Sequence, residues 1–139
     1  MAKNVIQSVV FKNTTSGTLY DMYVDEKKHA AATGAPAQIT TKAGGKFSAH
    51  DYITGEFIYL RKNASIIQTW RGRDWDEKEP DSIFIIELEA DGKDTVLHAI
   101  HTNIPDKYAA DIDKGWNTHY WQQWNKYLAG EPVEPPAGM

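Results

Sequence analysis

The chain has 139 residues, a formal net charge of −4 and no cysteine. That length suits one domain with a substantial core, and the acid excess without any Lys/Arg run excludes a backbone-driven nucleic-acid binder. The lack of cysteine removes disulfides, thiolate metal sites and a cysteine nucleophile together.

The first residues, Met1 to Ser8, lack the apolar segment of a signal peptide, and no run is long enough to span a membrane. A cytoplasmic location without a membrane partner is expected. The sequons Asn13-Thr14-Thr15 and Asn63-Ala64-Ser65 then read as chance matches.

Val5 to Phe11 is β-branched and predicts a first strand. Asn13, Thr14, Thr15 and Ser16 supply N-cap chemistry ahead of Leu19, Met22 and Tyr23, a short helix. A second short helix begins at Asp25, with Glu26 in its first turn, and stops at Thr33-Gly34-Ala35-Pro36. Strand and turn then alternate to Asn103. Residues 37–40 form a short strand, 46–50 another, and 52–60 a clearer one, with Gly55 marking a bulge or a close approach. The parity of that strand is open, because Gly55 can shift its register. Strands follow at 65–71, 82–88 and 95–101, the last two joined across Asp91-Gly92. The polar loop 72–81 carries Asp74, Asp76, Glu77, Glu79 and Asp81 and reads as a solvated, mobile face. Short turns between successive strands imply an antiparallel meander.

Ile104-Pro105 breaks the sheet, and residues 107–113 lead into a long helix ended by Ala129-Gly130. Ile112, Trp116, Tyr120, Trp124 and Leu128 recur every fourth residue, and Trp121 and Tyr127 widen the stripe. So much aromatic bulk on one helix needs a large apolar cover. A single α+β domain over 1–130 satisfies this: a curved antiparallel sheet wrapped around one long C-terminal helix, with two short helices after the first strand. Residues 131–139 form a Pro-rich tail expected to be disordered.

Parity points Gln68, Trp70, Phe84, Ile86, Leu88, Leu97, Ala99 and His101 toward the helix and His98 away. His98 and His101 therefore cannot share a metal, and His101 reads as a hydrogen-bonded structural histidine rather than a general base. His29, His50 and His119 lack partners at ligand spacing and are expected to be solvated. Gly44-Gly45-Lys46-Phe47 fails the phosphate-loop pattern on both sides, and no Gly-x-Ser-x-Gly or HExxH motif occurs. No catalytic set, cofactor or metal site is expected.

Ser8-Val9-Val10-Phe11, Gly45-Lys46-Phe47, Ile53-Thr54-Gly55, Ile67-Gln68-Thr69-Trp70-Arg71, His101 before Ile104-Pro105, and Gly115-Trp116 with Tyr120-Trp121 and Leu128 resemble the activators of heat-shock protein 90 ATPase. That family lies within the START-like (SRPBCC) helix-grip superfamily, and the resemblance runs from about Asn4 to Leu128. It implies a helix-grip fold and a non-enzymatic domain. Full co-chaperones carry an additional N-terminal domain that grips the chaperone, and this chain resembles their C-terminal domain. The implied partners are a heat-shock chaperone at the surface, in a stress response, or a small hydrophobic ligand between helix and sheet. The expected cavity residues are Gln68, Trp70, Phe84, Ile86, Leu97, His101, Trp116, Tyr120 and Trp124, and Arg71, Arg73 and Asp74 are the expected partner contacts. The alternative is an enzyme of cyclase, hydrolase or isomerase type acting on a hydrophobic substrate in the same cavity, with His101 or a tyrosine as acid or base.

Overall fold

The structure, a computed structural model, describes residues 2–134. β1 (Ala2–Phe11) leads into α1 (Ser16–Val24), whose N-cap Thr15 accepts from the Thr18 amide at 3.1 Å. Asp25 caps α2 (Glu26–Thr33), which Gly34 ends in a left-handed conformation at φ 76°. The remaining strands are β2 (Ala37–Ile39), β3 (Lys46–Ala49), β4 (Ile53–Arg61), β5 (Ser65–Gly72), β6 (Ser82–Asp91) and β7 (Asp94–Pro105). They form one seven-stranded antiparallel sheet in the order β1-β7-β6-β5-β4-β3-β2. The antiparallel meander and its seven strands are as expected. Ile104 and Pro105 do not break the sheet: both pair with the start of β1, Pro105 opposite Ala2 at the sheet edge.

β7 shows why the inward set was legible. From Asp94 to Thr102 its burial alternates, so Leu97, Ala99 and His101 face the interior and His98 does not. On β4 the inward residues are Ile53, Gly55 and Phe57. A register shift between Phe57 and Tyr59 then leaves Ile58 and Tyr59 exposed. Gly55 is the close approach, since a β-carbon there would collide with the Thr69 carbonyl oxygen.

The C-terminal helix starts at Asp106, before the expected lead-in has ended, and is helical to Leu128. It comprises α3 (Asp106–Gly115), a π-helical segment (Trp116–Trp121) and α4 (Gln122–Leu128). In an unbroken α-helix Trp121 would lie about 140° from Trp116 and Tyr127 about 20°. The π turn takes up one additional residue and retards the downstream residues by roughly 100°. Trp121 is thereby buried at 2% exposure and Tyr127 swings out to 36%, so its expected place in the stripe is corrected. Trp116 stacks on Phe84 with ring centres 4.0 Å apart, Trp121 stacks on Trp116, and Trp124 packs on Phe11. Gln7 ties the helix to β1: it accepts from the Trp121 indole at 2.7 Å and donates to Asp113 Oδ1 at 2.6 Å. Residues 131–134 have no regular structure, and the rest of the expected tail, 135–139, lies outside the described residues.

On the opposite face of the sheet Ile6, Ile100, Ile85, Ile67 and Tyr59 fall in register across five strands. Ile6 is 72% exposed and Tyr59 47%, so this apolar row faces solvent at both ends. Because the Thr69 carbonyl is backbone and cannot swing away, Gly55→Ala should lower stability by about 2 kcal/mol or more, read as a reduced urea midpoint.

Candidate functional site

Three aromatic–histidine clusters occupy the space between helix and sheet. In the first, the Trp116 indole N–H donates to His101 Nδ1 at 3.1 Å, which fixes the tautomer. His101 Nε2 then donates to Ser82 Oγ at 2.8 Å, and Ser82 donates to the Trp70 carbonyl at 2.7 Å. Burial holds His101 down at about pKa 3, so it is neutral at ordinary pH. Both its nitrogens are engaged within the protein, leaving no lone pair for a substrate. Gln68 is engaged likewise: it accepts from the Tyr23 hydroxyl and donates to the Thr69 carbonyl.

The second cluster corrects the expectation of a solvated His29. α2 places His29, Ala32 and Thr33 on one face, at positions i, i+3 and i+4, and all three are buried. His29 Nδ1 donates to the Tyr23 carbonyl at 2.7 Å, and its Nε2 accepts from the Tyr120 hydroxyl at 2.9 Å. Burial lowers the His29 pKa to about 4 and raises both tyrosines, so every member of the set is neutral. The i, i+3, i+4 spacing was the signal; the acids and lysines at the start of α2 obscured it.

The third cluster opens to solvent. His50 and Asp51 form the β3–β4 turn with φ of 59° and 53°, a left-handed pair without glycine. The turn presses His50 onto Tyr120, ring centres 5.2 Å apart and nearly parallel, with His119 6.0 Å away. His50 and His119 are half-buried rather than solvated, and burial first, then His29 and His119, brings His50 to about pKa 3. Tyr52, Trp70 and Arg73 face Asp111, Trp116 and His119 across a groove of about 450 Å³ between this turn and the helix. His50 Nε2, His119 Nδ1 and Trp70 Nε1 are buried in its walls without a hydrogen-bond partner. Among the described residues no group of three or more His, Cys, Asp or Glu is placed to hold a metal. A larger concavity of about 810 Å³ lies over β2–β5, but Lys46, Glu56, Arg71 and Asp81 make it an open, polar surface.

All nine expected cavity residues are buried, and they lie around the helix's inner face. Of these, Trp70, Trp116 and Tyr120 reach the groove, while Phe84, Ile86, Leu97 and Trp124 are packed core. The three expected partner contacts have different surroundings. Arg71 donates to the Glu79 and Asp76 carbonyls at 2.6 and 2.7 Å and meets Asp81 at 3.2 Å, lacing the acidic loop together. Asp74 accepts from the Tyr52 hydroxyl at 2.6 Å. Arg73 is exposed and paired with Asp51 at 3.1 Å. The loop is solvated as expected, yet it is anchored: Trp75 is buried and stacks on Tyr108. Gly72 admits this, for a β-carbon there would strike the Tyr52 hydroxyl and the Trp75 indole.

Residues 13–129 match the family described as Activator of Hsp90 ATPase homolog 1-like protein. The chain is 28% identical over 110 residues to Activator of 90 kDa heat shock protein ATPase homolog 1 of Homo sapiens, covering 78% of this chain and 32% of that protein. It is 32% identical over 99 residues to the corresponding homolog of Dictyostelium discoideum, covering 70% and 26%. The chain thus spans about a quarter to a third of the length of the curated relatives it matches. An HSP90 activator from Plasmodium falciparum has the same fold, with a TM-score of 0.75, 26% identity, and coverage of 95% of this chain and 98% of that one. No helix among the described residues is long and apolar enough to cross a membrane.

The neutral imidazoles set an acid limit. His29 and His101 have folded pKa values of about 4 and about 3 against an ordinary 6.5, so the unfolded chain binds protons that the folded chain refuses. Stability is fully present above pH 6.5 and is lost as pH falls toward those folded values, by about 2 kcal/mol per group at pH 5. Urea midpoints taken from pH 8 to 4.5 should fall accordingly, and His29→Gln should flatten the slope; a pH-independent midpoint contradicts the assignment.

Proposed function

The chain belongs to the Activator of Hsp90 ATPase homolog 1-like family, and from that membership and its filled interior we propose that it binds an Hsp90-type chaperone through its surface and raises ATP turnover there. The observation that carries this reading is the packing of Trp116, Trp121 and Trp124 between helix and sheet. Their rings occupy the space that a chamber for substrate or cargo would need. Function then falls to the outside of the domain. The Ile6–Tyr59 row offers apolar contact area, and Arg73 offers a charge at the rim of the groove. The names of the human and Dictyostelium relatives, activators of the 90 kDa heat shock protein ATPase, give the direction of the effect.

An activator of this kind works by differential affinity. It accelerates hydrolysis only if it binds the ATP-competent arrangement of the chaperone more tightly than the resting one, and a tenfold population shift requires about 1.4 kcal/mol of preference. That is within reach of a few surface contacts and needs no catalytic group from this chain. A cytoplasmic setting goes with the same reading.

A second reading, a small hydrophobic ligand between helix and sheet, is favoured by one observation: the groove beside His50, with its unpartnered nitrogens. The isoleucine row lies on the other face of the sheet from this groove, whereas Arg73 stands at its rim.

Adding the purified chain to an Hsp90-type chaperone should raise its ATP turnover in a saturable manner. Arg73→Glu should weaken the effect several-fold at unchanged melting temperature, whereas Arg71→Ala should lower the melting temperature because it unlaces the loop. No stimulation at any concentration overturns the proposal.

A further inference from the structure

The groove between the β3–β4 turn and the C-terminal helix holds three of the protein's buried nitrogens that lack a partner: Trp70 Nε1, His50 Nε2 and His119 Nδ1. An unmet buried polar group is costly, and three of them on residues that line one groove ask for a molecule that would satisfy them. The β3–β4 turn adds a second observation. Two successive left-handed residues other than glycine, His50 and Asp51, are held in place to keep the His50 ring against Tyr120.

We propose that this groove binds a flat, uncharged aromatic molecule carrying a hydroxyl group, whose ring lies against the wall formed by Trp70, Trp116 and Tyr120 and whose hydroxyl bridges the Trp70 indole and an imidazole nitrogen. The inference rests on the ligand reading of the groove and names the class of its ligand. The chemistry follows from the lining. An indole N–H only donates, so the ligand must present an acceptor, and a cation is disfavoured there. An unprotonated imidazole nitrogen accepts, so the same ligand atom should also donate, and a hydroxyl does both. Burial keeps His50 and His119 neutral, so no positive charge waits beneath the groove for an anion. At the rim stand two carboxylates, Asp51 and Asp111, and one guanidinium, Arg73, already paired with Asp51 at 3.1 Å. An anion would meet more repulsion than attraction. The walls are aromatic, with Trp70 and Trp116 packed on each other at a ring-centre distance of 6.2 Å, and about 450 Å³ suits a small two-ring body.

The test uses isotope-labelled protein at neutral pH, followed by NMR, with three probes: 2-naphthol, naphthalene and 2-naphthoate. 2-Naphthol should shift the Trp70 indole N–H resonance saturably. Naphthalene and 2-naphthoate should bind about five- to tenfold more weakly, the worth of one hydrogen bond. Trp70→Phe, which keeps a ring and removes the N–H, should weaken 2-naphthol by the same factor and leave naphthalene unchanged. If Trp70→Phe does not fold, His119→Phe probes the accepting side in the same way. Tighter binding of 2-naphthoate, or equal binding of naphthalene and 2-naphthol, overturns the uncharged hydroxyl class but keeps the groove as a ligand site. No saturable shift of any groove resonance with all three probes overturns the groove itself.

Discussion

Trp116 is the point at which the helix and the sheet are made one body. Its ring lies 4.0 Å from Phe84 of β6, and its N–H reaches His101 of β7. Through Ser82, His101 is tied to the Trp70 carbonyl of β5. One side chain of the helix is therefore coupled to three adjacent strands, by an apolar face and by a chain of hydrogen bonds whose donors and acceptors all match. A matched buried chain stabilises modestly, but removing one member strands the others at the full cost of desolvation. The strand parity, the tautomer of His101 and the seat of the helix depend on each other through this contact.

The same accounting separates the two ends of the interior. Around His101 and His29 nearly every polar atom has a partner, and such a site resists any incoming group. Around His50 and His119 it does not, and the backbone there adopts a turn that favours glycine yet carries histidine and aspartate. Superfamilies that share this architecture place function at differing sites on one scaffold, so the contrast between satisfied and unsatisfied ends says more about this chain than the fold does.

Much of this was legible in the order of residues. Alternation on β5, β6 and β7 gave the inward set, because one buried face forces a period of two. Thr15, Asp25 and Gly34 announced the caps of the short helices. Three features were hidden for separate physical reasons. The inward parity of β4 depends on a bulge at Phe57–Tyr59, which arises from backbone geometry and not from hydrophobic pattern. His29 lies in a helix whose first turn is charged, so its buried face is short. Trp75 sits in a loop of acids, where composition argues for solvent although one indole is enough to anchor the segment. The groove itself comes from a turn and a helix about 60 residues apart in sequence; no local pattern could have joined them.

The π turn has a consequence for how this helix can vary. It behaves as a vernier between two rulers: α3 is set by Lys3 and Gln7, α4 by Phe11 and α2, and one peptide unit absorbs the mismatch. The two halves are thus indexed to different parts of the sheet and need not share a phase. Loss of a single residue between Trp116 and Trp121 leaves an unbroken α-helix with Trp121 still turned inward, whereas gain of one exchanges which of Trp121 and Tyr127 the interior receives. For this helix, length is as much a specification as composition.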